Sequence, residues 1–360
     1  MNRTIKTRAH GRVNLIGEHT DYNGGWVLPT TISQYTEVAM VKREDNLIVL
    51  SSGVEPHTGN MREFTYEVGQ ELPTGTWVDY LQGATKLLSE FLQGRQKFTG
   101  FFASIHSTIP EGSGLSSSAA LEVSFLKAIR ETFELKITDI EIALLGQRVE
   151  NEFVGAKVGI MDQMATCLAQ SGEALYLDTR ELTYENIKLP YDQMDLLIIN
   201  SGVSHKLSEG DGGYNTRRRQ CEEACKILEI NQLRDITPED LKHKDLPEVL
   251  MKRARHVVSE NARVHLAVKA IKKRDLKELG KLFNESHKSM KDDYEVSIPE
   301  IDTLVELCQK DSRVFGARLT GGGFGGSIVA ITHKDASEDI GEAIIRKYQE
   351  ITKQKAIILS

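Results

Sequence analysis

The spacing of apolar residues divides this 360-residue chain into short strands and amphipathic helices. Residues 36–41 and 47–50 read as β. Residues 101–106 predict a strand bounded by Gly100 and Pro110. Residues 118–132 predict a helix, because Leu121, Phe125, Ala128 and Ile129 recur at helical spacing. A second helix is expected over 140–153, with Ile142, Leu145, Val149 and Phe153 on one face. Residues 175–177 and 196–200 read as strands. Residues 214–228, 246–274 and 276–289 carry long charged-and-apolar helical patterns. An apolar strand over 327–331 follows a glycine cluster, and a helix over 339–353 and a short strand close the chain. Strands and helices mix in both halves and no internal repeat is evident. The pattern predicts an α+β protein of two lobes joined near Ser171 and Gly172: an N-terminal domain over 1–172 and a C-terminal domain over 173–360.

Composition narrows the function classes. Hydrophobic residues are 40% and charged residues 27%, too apolar for a disordered chain. No stretch approaches the roughly 20 apolar residues of a membrane helix. The formal net charge of −7 argues against sequence-independent nucleic-acid binding, which needs surplus positive charge. The N-terminus is basic, but no apolar core precedes Gly11, so no secretory signal is expected. The last residues match no lipidation or retention signal. Cys167, Cys221, Cys225 and Cys308 are too few for a disulfide scaffold. Cys221 and Cys225 share a helix face without further Cys or His nearby, so structural thiols in a reducing cytoplasm are expected. No obligate protein partner is evident.

Three clusters carry candidate chemistry. The stretch from Pro110 to Ala120, PEGSGLSSSAA, lies between a predicted strand and a predicted helix. Small residues let a backbone approach a ligand closely. The N–H groups and positive dipole end of the following helix suit phosphate, and serine hydroxyls suit Mg²⁺. A flexible loop with a serine helix cap is the plain alternative; the strand before and helix after favour anion binding. No Gly-Lys-Ser/Thr follows, so this is not a Walker A loop. Protein-kinase HRD and DFG triplets are absent, and no acidic residue completes a Rossmann unit. A second cluster, LTGGGFGGS from Leu319 to Ser327, suggests positive φ or close backbone packing before a strand. By itself it reads equally as a tight turn.

The third cluster runs from Gly11 to Asn23, GRVNLIGEHTDYN. Glu18, His19 and Asp21 lie within four positions and could hydrogen-bond several hydroxyls at once, as sugar recognition demands. A metal site is the rival, although H-x-D supplies few ligands. Separately, Asp162 is the one carboxylate in the apolar stretch GIMDQM. A carboxylate there needs a partner to stay charged, which suits a general base or, alternatively, a helix cap.

Together these motifs resemble the GHMP family of small-molecule kinases, and within it the galactokinases. The resemblance rests on Gly11 to Pro29, Pro110 to Ala120 and Leu319 to Gly326. It extends to Glu150-Asn151, residues 159–163, Tyr214 to Arg218, RARHVVSENAR over 253–263 and SHKSMKDDYEVSIP over 286–299. It spans essentially the whole chain. Two departures are His10, where the family usually has proline, and a start close to the first motif, without the customary N-terminal extension.

The resemblance implies a two-lobed GHMP kinase fold with the active site in the cleft between the domains. It implies Mg²⁺-dependent phosphorylation of the anomeric hydroxyl of galactose by ATP, giving galactose 1-phosphate, the first committed step of galactose breakdown by the Leloir pathway. Asp162 would be the base and Arg12 would stabilise the transferring phosphoryl group. Glu18, His19, Thr20, Asp21 and Tyr214 would line the sugar pocket. The backbone of Gly112, Ser113, Gly114, Leu115, Ser116, Ser117 and Ser118 would cradle ATP, and Ser51 would contact the nucleotide. Ser118 and Glu150 would hold Mg²⁺. Two rivals are a kinase for a related sugar and a non-catalytic galactose sensor; the complete serine loop, Asp162 and Arg12 argue against the sensor. Residues 246–289 read as scaffold, with Lys252, Arg253 and Arg255 on a solvated face. Arg217, Arg218 and Arg219 read the same way.

Overall fold

The computed structural model describes residues 3–54, 61–110, 112–203 and 213–359. Glu111, in the serine-rich stretch, lies outside them. In chain order, β1 (Ile5–Asn14), β2 (Trp26–Val27), β3 (Pro29–Lys42), β4 (Leu47–Val54) and β5 (Met61–Glu67) precede helix α1 (Asp79–Leu92). Next come β6 (Phe101–Ser107), α2 (Ser117–Thr132), α3 (Asp139–Arg148), α4 (Met161–Leu168), β7 (Glu173–Asp178), β8 (Tyr184–Lys188) and β9 (Met194–Asn200). The helical stretch holds α5 (Gly213–Leu228), α6 (Pro238–Leu241), α7 (Glu248–Lys273), α8 (Leu276–Ser289) and α9 (Pro299–Gln309). It is followed by β10 (Val314–Thr320), β11 (Ser327–His333), α10 (Ser337–Thr352) and β12 (Ile357–Ile358).

These elements form two compact units, neither a continuous stretch. The first comprises Met1–Gly11, Ser33–Pro110 and Ser116–Leu168; the second comprises Arg12–Ile32, Glu111–Leu115 and Ala169–Ser360. A single cut at residue 172 does not describe them. The first motif and the start of the serine loop belong with the later residues, because their hydrogen bonds go there.

In the first unit, β3 pairs antiparallel with β6, β6 parallel with β4, and β4 antiparallel with β5. Strand β6 shows why this sheet forms: Phe101, Ala103 and Ile105 are buried while Phe102, Ser104 and His106 are exposed. Phe101 meets Phe125 of α2 edge to face, with centroids 5.6 Å apart. Helix α3 begins with a capping box from Thr138 and Glu141. The predicted 140–153 helix is shorter than expected: it passes into a π turn over Val149–Val154 that carries Glu150. Such turns re-aim side chains locally.

In the second unit, an antiparallel sheet runs β10–β11–β9–β12. The apolar run of β11 is buried on both faces, which is why it reads as continuous rather than alternating. Its core includes Leu197, Ile199, Val257, Tyr294, Leu304, Ala317 and Ile328. Strand β7 pairs antiparallel with β2, β8 and the start of β3, as part of an eight-stranded sheet among the described residues. A second π turn, Met290–Tyr294, follows α8.

Strand β10 was not legible in the hydropathy pattern, because it holds Gly316 and Arg318. Both have structural reasons. A Cβ on Gly280 of α8 would lie 2.2 Å from the Phe315 carbonyl oxygen, and one on Gly316 would lie 2.0 Å from the Gly280 carbonyl oxygen. The two glycines let helix and strand touch backbone to backbone. Backbone atoms cannot give way, so Gly280→Ala is expected to destabilise the fold by at least the ~1–3 kcal/mol typical of overpacking. Urea denaturation measures this; an unchanged midpoint would show that α8 can slide off β10.

Candidate active site

The first motif leaves β1 at Asn14 and turns sharply. Gly17 has φ +105° and His19 φ +63°. A Cβ on Gly17 would lie 2.8 Å from the Trp26 carbonyl oxygen, so only glycine fits that turn. The Thr20 hydroxyl lies 2.8 Å from the Gly17 carbonyl and 2.7 Å from the Trp26 carbonyl, and its side chain is buried. The Thr20 hydroxyl, expected to line the sugar pocket, thus also pins the loop from within the turn. Asp21 opens a one-turn 3₁₀ helix, Asp21–Asn23, and is half-buried.

Glu18 is buried, with Oε2 accepting from the Asn14 side-chain amide at 2.9 Å and Oε1 from the Gly321 N–H at 2.8 Å. Burial pushes its pKa up, and the charges of Arg318 and Arg12 act in the opposite direction. Glu18 therefore ties the first motif to the glycine cluster. His19 lies among aromatic rings: Tyr294 at 4.6 Å, Tyr22 at 5.9 Å and Tyr214 at 5.6 Å between centroids. Its Nδ1 is 2.9 Å from the Tyr22 hydroxyl, which is 2.7 Å from the Tyr294 hydroxyl. Burial raises both phenol pKa values, so both stay protonated and can donate.

The three motifs interlock within the second unit. Arg12 donates from its guanidinium to the Gly114 carbonyl at 2.7 Å and from its backbone N–H to the Leu115 carbonyl at 3.2 Å. Ser327 donates to the Ser113 carbonyl at 2.7 Å. Asn14 N–H donates to the Thr320 hydroxyl at 3.1 Å. The serine loop itself alternates left-handed residues, with φ of +66° at Gly112, +74° at Gly114 and +60° at Ser116, before α2 begins at Ser117. Leu115 is buried and can offer a ligand only its backbone.

The first unit holds the other candidates. Ser118 donates to Glu150 Oε1 at 3.0 Å, and Gln163 Nε2 donates to the same oxygen at 3.1 Å. Asp162 is the second residue of α4, half-buried. Ser51 lies within β4, opposite Glu63 of β5 and Ser104 of β6. Glu122 is a further buried acid that motif reasoning missed. Burial and then the charge of Glu150 push its pKa well up, which favours its protonated form. Among the described residues no three His, Cys, Asp or Glu side chains gather as a metal site, and no helix is long and apolar enough to cross a membrane.

One reading is overturned. Arg253 does not lie on a solvated face: it is buried and donates to Gln220 at 2.8 Å, the Asp293 carbonyl at 2.5 Å and Glu295 at 2.6 Å. Arg217 donates to the Tyr294 carbonyl at 2.5 Å and the Glu295 carbonyl at 2.9 Å. The two arginines hold the π turn that presents Tyr294. Lys252 and Arg255 pair with Glu295 and Asp293 in exposed contacts.

Three family models match the chain: "GHMP kinases N terminal domain" over residues 79–170, "GHMP kinases C terminal" over 267–350, and "Galactokinase galactose-binding signature" over 2–42. The galactokinase of Haemophilus influenzae (strain PittGG) is 42% identical over 357 residues, covering 98% of this chain and 91% of that protein. The galactokinase of Mannheimia succiniciproducens is 41% identical over 363 residues, with the same two shares of 98% and 91%. The solved structure of Lactococcus lactis galactokinase complexed with galactose aligns with a TM-score of 0.93 at 36% identity, covering 99% of this chain and 92% of that one. A mevalonate kinase at 19% identity, with a TM-score of 0.68, shares the fold.

His256 of α7 gives this region a pH signature. It is buried, with Nε2 3.1 Å from the Glu18 carbonyl and Nδ1 3.0 Å from the Ser289 hydroxyl. A carbonyl only accepts, so Nε2 carries the proton; the Ser289 hydroxyl at Nδ1 also lies 3.2 Å from Asp293 Oδ2. Burial pushes the pKa down from its ordinary 6.5 to about 4. A folded pKa below the unfolded one means full stability above about 6.5, lost as pH falls from there toward 4. The loss is expected to be on the order of 2–3 kcal/mol by pH 4.5. Urea denaturation across that range checks it, and His256→Gln should flatten that part of the profile. An unaltered slope in the variant would place the titration elsewhere.

Proposed function

This chain belongs to the galactokinases within the GHMP kinases, and from that premise we propose that it transfers the terminal phosphoryl group of ATP to the anomeric hydroxyl of galactose. The observation that carries this reading is the interlock of the three motifs. Arg12 is joined to Gly114, and Glu18 to Gly321, by direct hydrogen bonds, which supports reading the first motif and the serine loop as neighbouring parts of one site.

Glu18, His19, Asp21 and Tyr214 are the groups we assign to the sugar. His19 and Tyr214 offer ring edges and donors, and the carboxylates accept from hydroxyls. A site built this way rejects analogues lacking those hydroxyls, since its own groups would be left unpaired. The left-handed turns at Gly112, Gly114 and Ser116 aim successive backbone N–H groups in a manner that suits ATP phosphates. Ser51 is assigned to the nucleotide on the motif match.

Ser118 and Glu150 are the residues that would hold Mg²⁺. They fit it: the donors are all oxygen, and the two side chains already meet at 3.0 Å. When bound, the ion neutralises phosphate charge during transfer. Asp162 takes the proton of the anomeric hydroxyl, in the first turn of α4, where the helix's positive end favours a negative charge. Arg12 adds a fixed positive charge beside the phosphate loop, anchored by the Gly114 carbonyl. The four cysteines are buried free thiols, in keeping with a cytoplasmic location.

Release of ADP should depend on galactose. Asp162→Asn should lower turnover by about 10²–10⁴-fold, the usual contribution of a positioned base, while galactose still binds. Turnover within tenfold of the parent protein would remove Asp162 from the base role. Arg12→Ala should lower kcat more than it weakens galactose binding; a pure binding defect would argue against charge stabilisation in the transition state.

A further inference from the structure

Helix α7 places His256, Glu260 and Asn261 at i, i+4 and i+5, on one side of the helix. Each hydrogen-bonds the backbone of the first motif. His256 Nε2 donates to the Glu18 carbonyl at 3.1 Å. Glu260 Oε1 accepts from the Gly17 N–H at 2.9 Å and faces the Glu18 N–H at 3.4 Å. Asn261 Oδ1 accepts from the Trp26 N–H at 2.7 Å. From β10, Arg318 donates to the carbonyls of Asn14 at 3.0 Å and Leu15 at 2.8 Å. Next on the helix face, Val264 packs so close that a Cβ on Gly17 would lie 2.9 Å from its Cγ2.

We propose that His256, Glu260, Asn261 and Arg318 form a template that sets the backbone of residues 14–26, and so act as positioning residues for sugar recognition through the loop they hold. The inference rests on the sugar-binding reading of that loop given above.

The chemistry argues for a positioning function over simple packing. Arg318 and Glu260 are both fully buried, and their nearest N···O distance is 3.6 Å. A buried ion pair kept only for stability gains little over apolar residues of the same size. Here both ions direct hydrogen bonds at loop carbonyls and N–H groups. Glu260 also accepts from Ser286 at 2.7 Å and from Arg263 at 2.7 Å, so the remaining acceptor capacity is filled from its own scaffold. Contacts to backbone read a conformation rather than a side chain. They hold Glu18 and His19 in place whatever ligand is present.

The test compares amide hydrogen exchange over residues 14–28 with steady-state kinetics in the full-length chain. In Glu260→Gln, one amide oxygen cannot serve Gly17, Ser286 and Arg263 together. Asn261→Ala is milder, because Asn261 is only half-buried. The expected result is exchange at Gly17 and Glu18 at least tenfold faster in the first variant, and at Trp26 in the second. KM for galactose should rise at least tenfold in Glu260→Gln and severalfold in Asn261→Ala, while KM for ATP stays within twofold. Unchanged exchange in folded variants would overturn the template. A parallel rise of both KM values would also overturn it, by marking a general structural defect. If the parent protein released no ADP with galactose, the sugar reading would fail, and the exchange measurements would still decide whether the template exists.

Discussion

Two opposite charges sealed from water, Arg318 and Glu260, organise the second unit. Removing an ion from water costs several kcal/mol, and that cost is offset only when nearly all of its hydrogen-bonding capacity is filled. Much of the filling comes from the backbone of residues 14–18, with Ser286, Arg263 and the Met290 sulfur adding to it, while Arg318 Nε is buried without a hydrogen-bond partner among the described residues. The dependence is mutual. The loop keeps its left-handed turn at His19 because charged groups hold it on both sides, and the charges stay buried because the loop solvates them. Glu260 is held below the ordinary carboxylate range by Arg263 and Arg318, against the effect of its burial.

The same economy of backbone contact joins the three motifs. Glycine is required where two main chains meet: a Cβ on Gly321 would lie 3.1 Å from the Gly114 carbonyl oxygen, and Gly321 has φ +87°. Its N–H is thereby free of steric cover and reaches Glu18. In the first unit a comparable arrangement surrounds Glu150. Ser118 and Gln163 both donate to one of its oxygens, while Gln163 also faces Glu122 at 3.4 Å. The π turn over Val149–Val154 aims Glu150 at those donors. The matching π turn after α8 carries Tyr294 to His19. In both places a widened helical turn delivers a polar group that a regular helix would point elsewhere.

Legibility in the sequence followed the strength of the periodic signal. Strand β6 and helix α2 were readable because their apolar positions repeat without interruption. Strands β1 and β10 were not, because their inward positions include Thr7 and Arg318, polar residues satisfied by distant partners. Helix α7 looked like scaffold with a solvated basic face, since charges spaced by three or four are usually surface pairs. Glu260 and Arg263 have that spacing and Arg253 lies two turns before Glu260, yet all three are buried. Periodicity reports which face of a helix is apolar; it does not report what covers the polar face.

By itself the sequence determined which elements alternate and where small residues permit tight turns, and the motif match named the residues for the sugar, the phosphate, the metal and the proton. Those features are local: they follow from side-chain size, spacing and hydrogen-bonding type within a dozen positions. Only the tertiary structure decided that Thr20 faces inward, that Tyr294, His256, Glu260 and Arg318 surround the first motif, and that the compact units cut across the order of the chain. Glu18 and Arg318 are 300 positions apart in sequence and 3.5 Å apart in space. The reason is physical: a buried charge is stable only beside groups that complete its hydrogen bonds, and those groups are supplied by whichever segments the fold brings together.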